Sequence, residues 1–206
     1  RVEAALEVVG EASRLAGDAN GRFGLQDTLA FLLHDPGLAR RQILNASARQ
    51  FPEGDVQHWW LPHTGQGVRT RISDDCVWLG HAVAAYVTCT GDRAVLDEQV
   101  PFLEGHRLGE SEHDAFFQPD DAGHGASLFA HCALGLDRAL SLTGEHGLPL
   151  IGSGDWNDGM NRVGAAGRGE SVWLGWLLLQ TLGAFVPLAE KRDPARARRW
   201  REQAET

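Results

Sequence analysis

Tyrosine and methionine each occur once in the 206 residues, and cysteine only three times, at Cys76, Cys89 and Cys132. Three widely spaced cysteines exclude a disulfide framework and a cysteine-based zinc site, and fit a reducing, cytoplasmic setting. Basic residues are in deficit, 19 against 28 acids, for a net charge of −9. A nucleic-acid partner is thereby excluded, because a phosphate backbone demands a basic footprint. The nine histidines never fall at H-E-x-x-H spacing, so no metal site is expected. The chain has no G-x-S-x-G, P-loop or Rossmann fingerprint. No apolar run approaches the roughly 18 residues of a membrane span, and no signal peptide opens the chain.

Tryptophan, by contrast, occurs seven times. So large a ring is costly to place at random, which points to a core seam or a pocket lining. Helical signals dominate. The stretch 36–51 opens with Asp35 as cap and Pro36 at the first helical position. A second helix is expected over 73–91, with Ser73 as cap and Gly91 as stop. Others are expected over 126–144, over 169–191 with a late kink or break at Pro187, and over 193–205 from an Asp-Pro start. The opening RVEAALEVVGEASRLAG reads as the middle of a helix and the closing DPARARRWREQAET as a helix cut short, so a fragment of a longer polypeptide is expected. Strand signals are weak, and the fold expected is all-α. Between the helices lie 52–72, 101–125 and 145–169, and structureless loops of about 20 residues are uncommon unless they carry function. No low-complexity linker divides the chain, so residues 1–206 read as one domain.

The chemistry-bearing residues fall in these loops. In QHWWLPHTGQGVRTRISDD (57–75), the adjacent Trp59 and Trp60 point opposite ways on an extended backbone, so one, here assigned as Trp60, is offered to a ligand. Arg69 and Arg71 alternate onto one side, just ahead of Asp74 and Asp75. This is either a capped helix with a solvated Arg–Asp pair or a clamp for a polyol, with an indole against the apolar face of a sugar. In GDWNDGMN (154–161), Asp155 and Asp158 flank Trp156 and Asn157. A turn former is the plain reading of either acid, but an aromatic platform beside a carboxyl pair suits binding a pyranose and protonating its glycosidic oxygen. Glu170 reads as a helix-start acid, and Asp27 as a helix cap or a residue bordering the cleft.

Three strings, ARQFPEGDVQHWWLPHTGQGVRTRISDDCVWL (48–79), TGDRAVLDEQVPFLEG (90–105) and GLPLIGSGDWNDGMNRVGAAGRGESVWLGW (147–176), resemble the glycoside hydrolase family 94 phosphorylases. Within that family the resemblance is to the C-terminal phosphorylase-like region of cyclic β-1,2-glucan synthases. It implies about half of an (α/α)6 barrel, with the site among loops at one end. It also implies inverting phosphorolysis of β-linked glucosides, in which inorganic phosphate is the co-substrate, glucose 1-phosphate is the product and no cofactor is needed. By position, the resemblance makes Asp158 the general acid and sets Trp156 against the sugar, with Arg69, Arg71, Asp74 and Asp75 at sugar-binding positions; Asn157, Asp155 and Trp60 complete the substrate-binding set. It implies as partners a β-glucan oligosaccharide and the rest of the parent polypeptide, a cytoplasmic domain of an inner-membrane protein being one such setting. Two departures stand out: GRFGLQD lacks the family's Arg-Asp-Gln, and the family's phosphate-binding His and Thr-Gly loop lie downstream of the last residue here. The rival readings are a non-catalytic carbohydrate-binding scaffold of a membrane glycosyltransferase, and an inverting hydrolase needing a second carboxylate about 6.5–9.5 Å from the first.

Overall fold

The fold is taken from a computed structural model that describes residues 21–205; the expected helix at the opening of the chain lies outside the described residues. The helices are α1 (Gly21–Phe31), α2 (Pro36–Ser47), α3 (Asp75–Thr90), α4 (Leu128–Ser141), α5 (Val172–Ala189) and α6 (Pro194–Ala204). The strands are β1 (Gln57–Trp60), β2 (Gly67–Thr70), β3 (Gln99–Glu104), β4 (Asp114–Phe117) and β5 (Asp120–Ser127). With 47% helix and 19% strand, the all-α expectation is overturned, and the chain is mixed α and β. The expected all-helical half of an (α/α)6 barrel is corrected with it.

The strands occupy the stretches expected as loops. β1, β2 and β4 form one antiparallel sheet in the order β1-β2-β4, and β3 pairs antiparallel with β5. Their sequences concealed them. Four-residue strands are too short to show an alternation, and β5, DDAGHGAS, is largely exposed and held by ladder hydrogen bonds rather than by an apolar face. Only β3 carried a readable signal, with Val100 and Phe102 buried at period two. Its Pro101 pairs with Gly125 at the edge of a two-stranded sheet, a place where proline is tolerated.

Helix α3 is the hub. It packs against α1, α2, α4 and α5, and its residues from Asp75 through Gly80 are buried on every side, as befits a core helix. It ends at Gly91, whose left-handed φ of 74° lets its N–H bond to the Val87 carbonyl. Asp35 and Asp193 cap α2 and α6 as their Asp-Pro signals imply, accepting from Leu38 N and Arg196 N. Ser73 does not cap α3. Asp74 holds that position, and its carboxylate instead accepts from Trp78 Nε1 at 2.8 Å. Asp27 sits inside α1 and so does not cap it.

Pro187 does not break α5. It lies in the last turn, where only Leu188 and Ala189 follow. Over these 18 residues α5 has a mean hydropathy of 1.6, so by length and composition it does match a membrane span, contrary to the sequence reading; half of the helix is buried inside the protein. Its inner side packs on α3 and α6, with Phe185 stacked on Phe129 at 5.9 Å and beside the fully buried Trp200.

Two imidazoles, the buried His131 and the half-buried His81, make stability pH-dependent. His131 stacks on Phe102 at 4.1 Å, with Nε2 donating to the Val100 carbonyl, and burial lowers its pKa. Burial also lowers that of His81. The unfolded chain therefore binds protons that the folded chain resists, so their contribution is complete above pH ~6.5 and is lost as pH falls below it. Thermal unfolding is expected to show a falling melting temperature between pH 7 and pH 5. A His131→Gln variant should show a shallower fall.

Candidate functional site

The GDWNDG loop is fixed to the approach of α3. Ile72 bridges to both Gly152 and Gly154. Ser153 N donates to the Arg71 carbonyl, and Ser73 donates from N and Oγ to the Gly154 carbonyl at 2.9 and 3.1 Å. The approach needs glycine. Gly152 has a φ of 62°, and a Cβ there would collide with the Arg71 carbonyl, while one on Gly164 would collide with the carbonyl of Gly152.

Within the loop the two acids part company. Asp155 is buried, and both its oxygens are engaged: Oδ1 accepts from Asn157 N at 2.9 Å and Oδ2 from Ser171 Oγ at 2.6 Å. Ser171 in turn caps α5 by accepting from Leu174 N. Asp155, expected in the substrate-binding set, thus ties the loop to a helix start. Asn157 accepts from Gly159 N and opens the short 3-10 turn Asp158–Met160. Asp158 and Trp156 face solvent, with the Asp158 side chain 47% exposed and Trp156 52%.

Both arginines of the expected polyol clamp are spent inside the protein. Arg69, only 2% exposed, makes a bidentate pair with Asp55 at 2.7 and 2.7 Å, and donates further to Glu53 and to the His106 carbonyl. Burial works against its charge, and Asp55 and Glu53 more than offset that, so its pKa is raised. Arg71 donates to the carbonyls of Leu108, Gly109 and Glu112, stapling the 105–113 segment to β2. That segment is braced again by Glu112, whose pKa is lowered by hydrogen bonds from Gly109 N and His106. Asp74 is fully buried on Trp78. Trp60 is 1% exposed in the core, with the Arg49 guanidinium 5.3 Å from its ring, so it offers no face to a ligand. Of the adjacent pair, Trp59 is the one partly open, tilted against Phe116 at 5.6 Å.

Asp75 heads α3 and leads to a residue the sequence reading passed over. His58 on β1 points Nδ1 at both Asp75 oxygens, at 3.1 and 2.9 Å, and Nε2 toward Asp158 Oδ2 at 3.8 Å. Thr70 Oγ1 also reaches Asp75, at 3.4 Å. Asp158 and the half-buried His58 are therefore brought together at the start of α3, with the exposed Trp156 two residues from Asp158 along the loop. A separate cavity of about 530 Å³ lies behind the loop, lined by Arg71, His113, Arg138 and the 164–167 turn; neither Asp158 nor Trp156 lines it. Among the described residues, no cluster of His, Cys, Asp and Glu is arranged to hold a metal ion.

The model of the glycosyl hydrolase 94 superfamily, catalytic domain, matches residues 12–206. The chain is 59% identical over 192 residues to the cyclic beta-(1,2)-glucan synthase NdvB of Rhizobium meliloti (strain 1021), covering 91% of this chain and 7% of the synthase. It is 35% identical over 194 residues to a solabiose phosphorylase of Paenibacillus borealis, covering 92% of this chain and 22% of that enzyme. A 3-O-beta-D-glucopyranosyl-beta-D-glucuronide phosphorylase of the same organism is 30% identical over 182 residues, covering 87% of this chain and 22% of that enzyme. The chain thus spans less than a quarter of the length of each of these relatives.

Proposed function

Since the chain belongs to the glycosyl hydrolase 94 superfamily, we propose that it supplies the acid side of an inverting phosphorolysis of β-linked glucosides, β-1,2 in linkage, that releases glucose 1-phosphate. The observation that carries this reading is the exposed Asp158 carboxyl two residues from the exposed Trp156, on a loop anchored at both ends to core helices. The indole offers a flat apolar face to a pyranose. The Asp158 carboxyl protonates the glycosidic oxygen as the C1–O bond breaks toward it, while a phosphate oxygen bonds to C1 from the opposite face. Phosphate replaces the base-activated water of an inverting hydrolase, so a second carboxylate is not required. In a monohydrogen phosphate, the proton freed on bonding to C1 matches the one given to the leaving alcohol, and the count closes. The setting proposed is cytoplasmic, as one part of a longer catalytic polypeptide that also contributes the phosphate-binding groups.

The experiment is to incubate the full-length protein with β-1,2-gluco-oligosaccharides, with and without inorganic phosphate. Glucose 1-phosphate should form only with phosphate; free glucose released at the same rate without it would make the protein a hydrolase. A second reading is sugar binding without catalysis, in which the exposed Trp156 holds the glucan while the chemistry occurs elsewhere in the polypeptide. Oligosaccharide binding unaffected by phosphate, with no turnover in either direction, would favour that reading.

A further inference from the structure

We infer that the outer face of the β1-β2-β4 sheet is a further glucosyl subsite, where the Trp59 and Phe116 rings hold a β-glucan chain beyond the two units joined by the cleaved bond; the inference rests on the phosphorolysis proposed above. The register sets Trp59 opposite Val68 and Val68 opposite Phe116, so the three side chains stand in a row across the sheet. Their neighbours Trp60 and Arg69, on the other face, are buried, which leaves the row on the solvent side. Strands β1 and β4 flank β2 and so lie about 10 Å apart. The two rings nevertheless lean together over Val68, to a centroid separation of 5.6 Å and a tilt of 33°. They form one shallow aromatic shelf, with Phe116 54% exposed and Trp59 partly open. Single exposed apolar side chains are ordinary, but a contiguous set marks a binding surface.

Position and chemistry choose the occupant. The shelf is continuous with the site of the proposed acid, because Trp59 directly follows His58, whose ring lies 3.8 Å from Asp158. Val68 is two residues, about 7 Å along the strand, from Thr70, which shares its face and reaches Asp75 at 3.4 Å. Release of glucose 1-phosphate removes one terminal unit. The rest of the chain therefore leaves on the oxygen that Asp158 protonates, and continues outward from it. In a β-glucosyl unit the ring substituents are equatorial, so both ring faces present only C–H bonds, which suit an aromatic shelf. At the rim Asp114, exposed on the same face and paired across the strands with Thr70, is an acceptor for the hydroxyls.

Dependence on chain length separates a glucan subsite from a packing role. With the full-length protein and inorganic phosphate, glucose 1-phosphate release is compared on β-1,2-linked di-, tri- and tetrasaccharides. Wild-type kcat/KM should rise by about tenfold from the disaccharide to the tetrasaccharide. Phe116→Ala and Trp59→Ala should each lower it on the tetrasaccharide by about five- to tenfold, through a higher KM, because remote units contribute binding that ground and transition states share. On the disaccharide both variants should stay within about twofold of wild type. Phe116 is the more exposed ring, so if Trp59→Ala does not fold, Phe116→Ala decides. Wild-type rates indifferent to chain length, or no loss in the variants, would overturn the inference. So would equal losses at every length, which would mark the shelf as a surface packed by the rest of the polypeptide. A wild-type protein that releases glucose 1-phosphate from none of the three sinks the proposed phosphorolysis itself, and this inference with it.

Discussion

Asp158→Asn in the full-length protein is expected to lower phosphorolytic turnover by at least about 10²-fold, the typical contribution of a general acid. The change is nearly isosteric. Asp158 lies on an exposed 3-10 turn whose cap is the neighbouring Asn157, so the turn is retained and only the transferable proton is lost. The effect should fall on kcat rather than KM, because proton donation matters only as the bond to the leaving oxygen breaks. Glucose 1-phosphate release from the oligosaccharide measures it, and activity on an aryl glucoside should be largely spared. Full activity on the oligosaccharide would move the acid elsewhere. Asp155 would be a poor replacement, since its two oxygens are buried against Ser171 and the loop backbone.

The second large effect is structural. Asp55→Ala should destabilise the protein by about 3–5 kcal/mol, because it leaves the Arg69 guanidinium buried without its bidentate partner. Glu53 cannot take over fully, since it also pairs with Arg107. Stacking of Arg69 over the Phe51 ring at 3.9 Å holds the charge where water does not reach it. The melting temperature should drop by about 6 °C or more, and the 105–113 segment, to which Arg69 reaches through the His106 carbonyl, should become the first site of proteolysis. Glu53→Ala, at the more exposed partner, should cost about 1 kcal/mol or less. Comparable losses in the two variants would mean that Asp55 is not the anchor.

Much of the helical frame was legible. Asp35-Pro36, Asp193-Pro194 and Gly91 marked ends that depend on a cap or a φ available to only a few residue types, so local chemistry sufficed. The strands were not legible, because β1, β2 and β4 are four residues long and gain their stability from one another. A motif also looks the same whether its side chains face a ligand or the interior. Arg69, Arg71 and Asp74 sit in a string that reads as a clamp, yet each is engaged by the protein itself.

What the amino-acid sequence determined by itself was the family, the helix ends marked by Asp35, Gly91 and Asp193, and the stretches in which polar chemistry collects, since these depend on residue types at short spacing. The tertiary structure alone decided which side chains remain available. Arg69 meets an acid 14 positions away, Asp155 a hydroxyl 16 away, Asp75 an imidazole 17 away and Arg71 a carbonyl 41 away. Hydrogen bonds and ion pairs act over a few ångströms of space, whatever the length of chain between the partners.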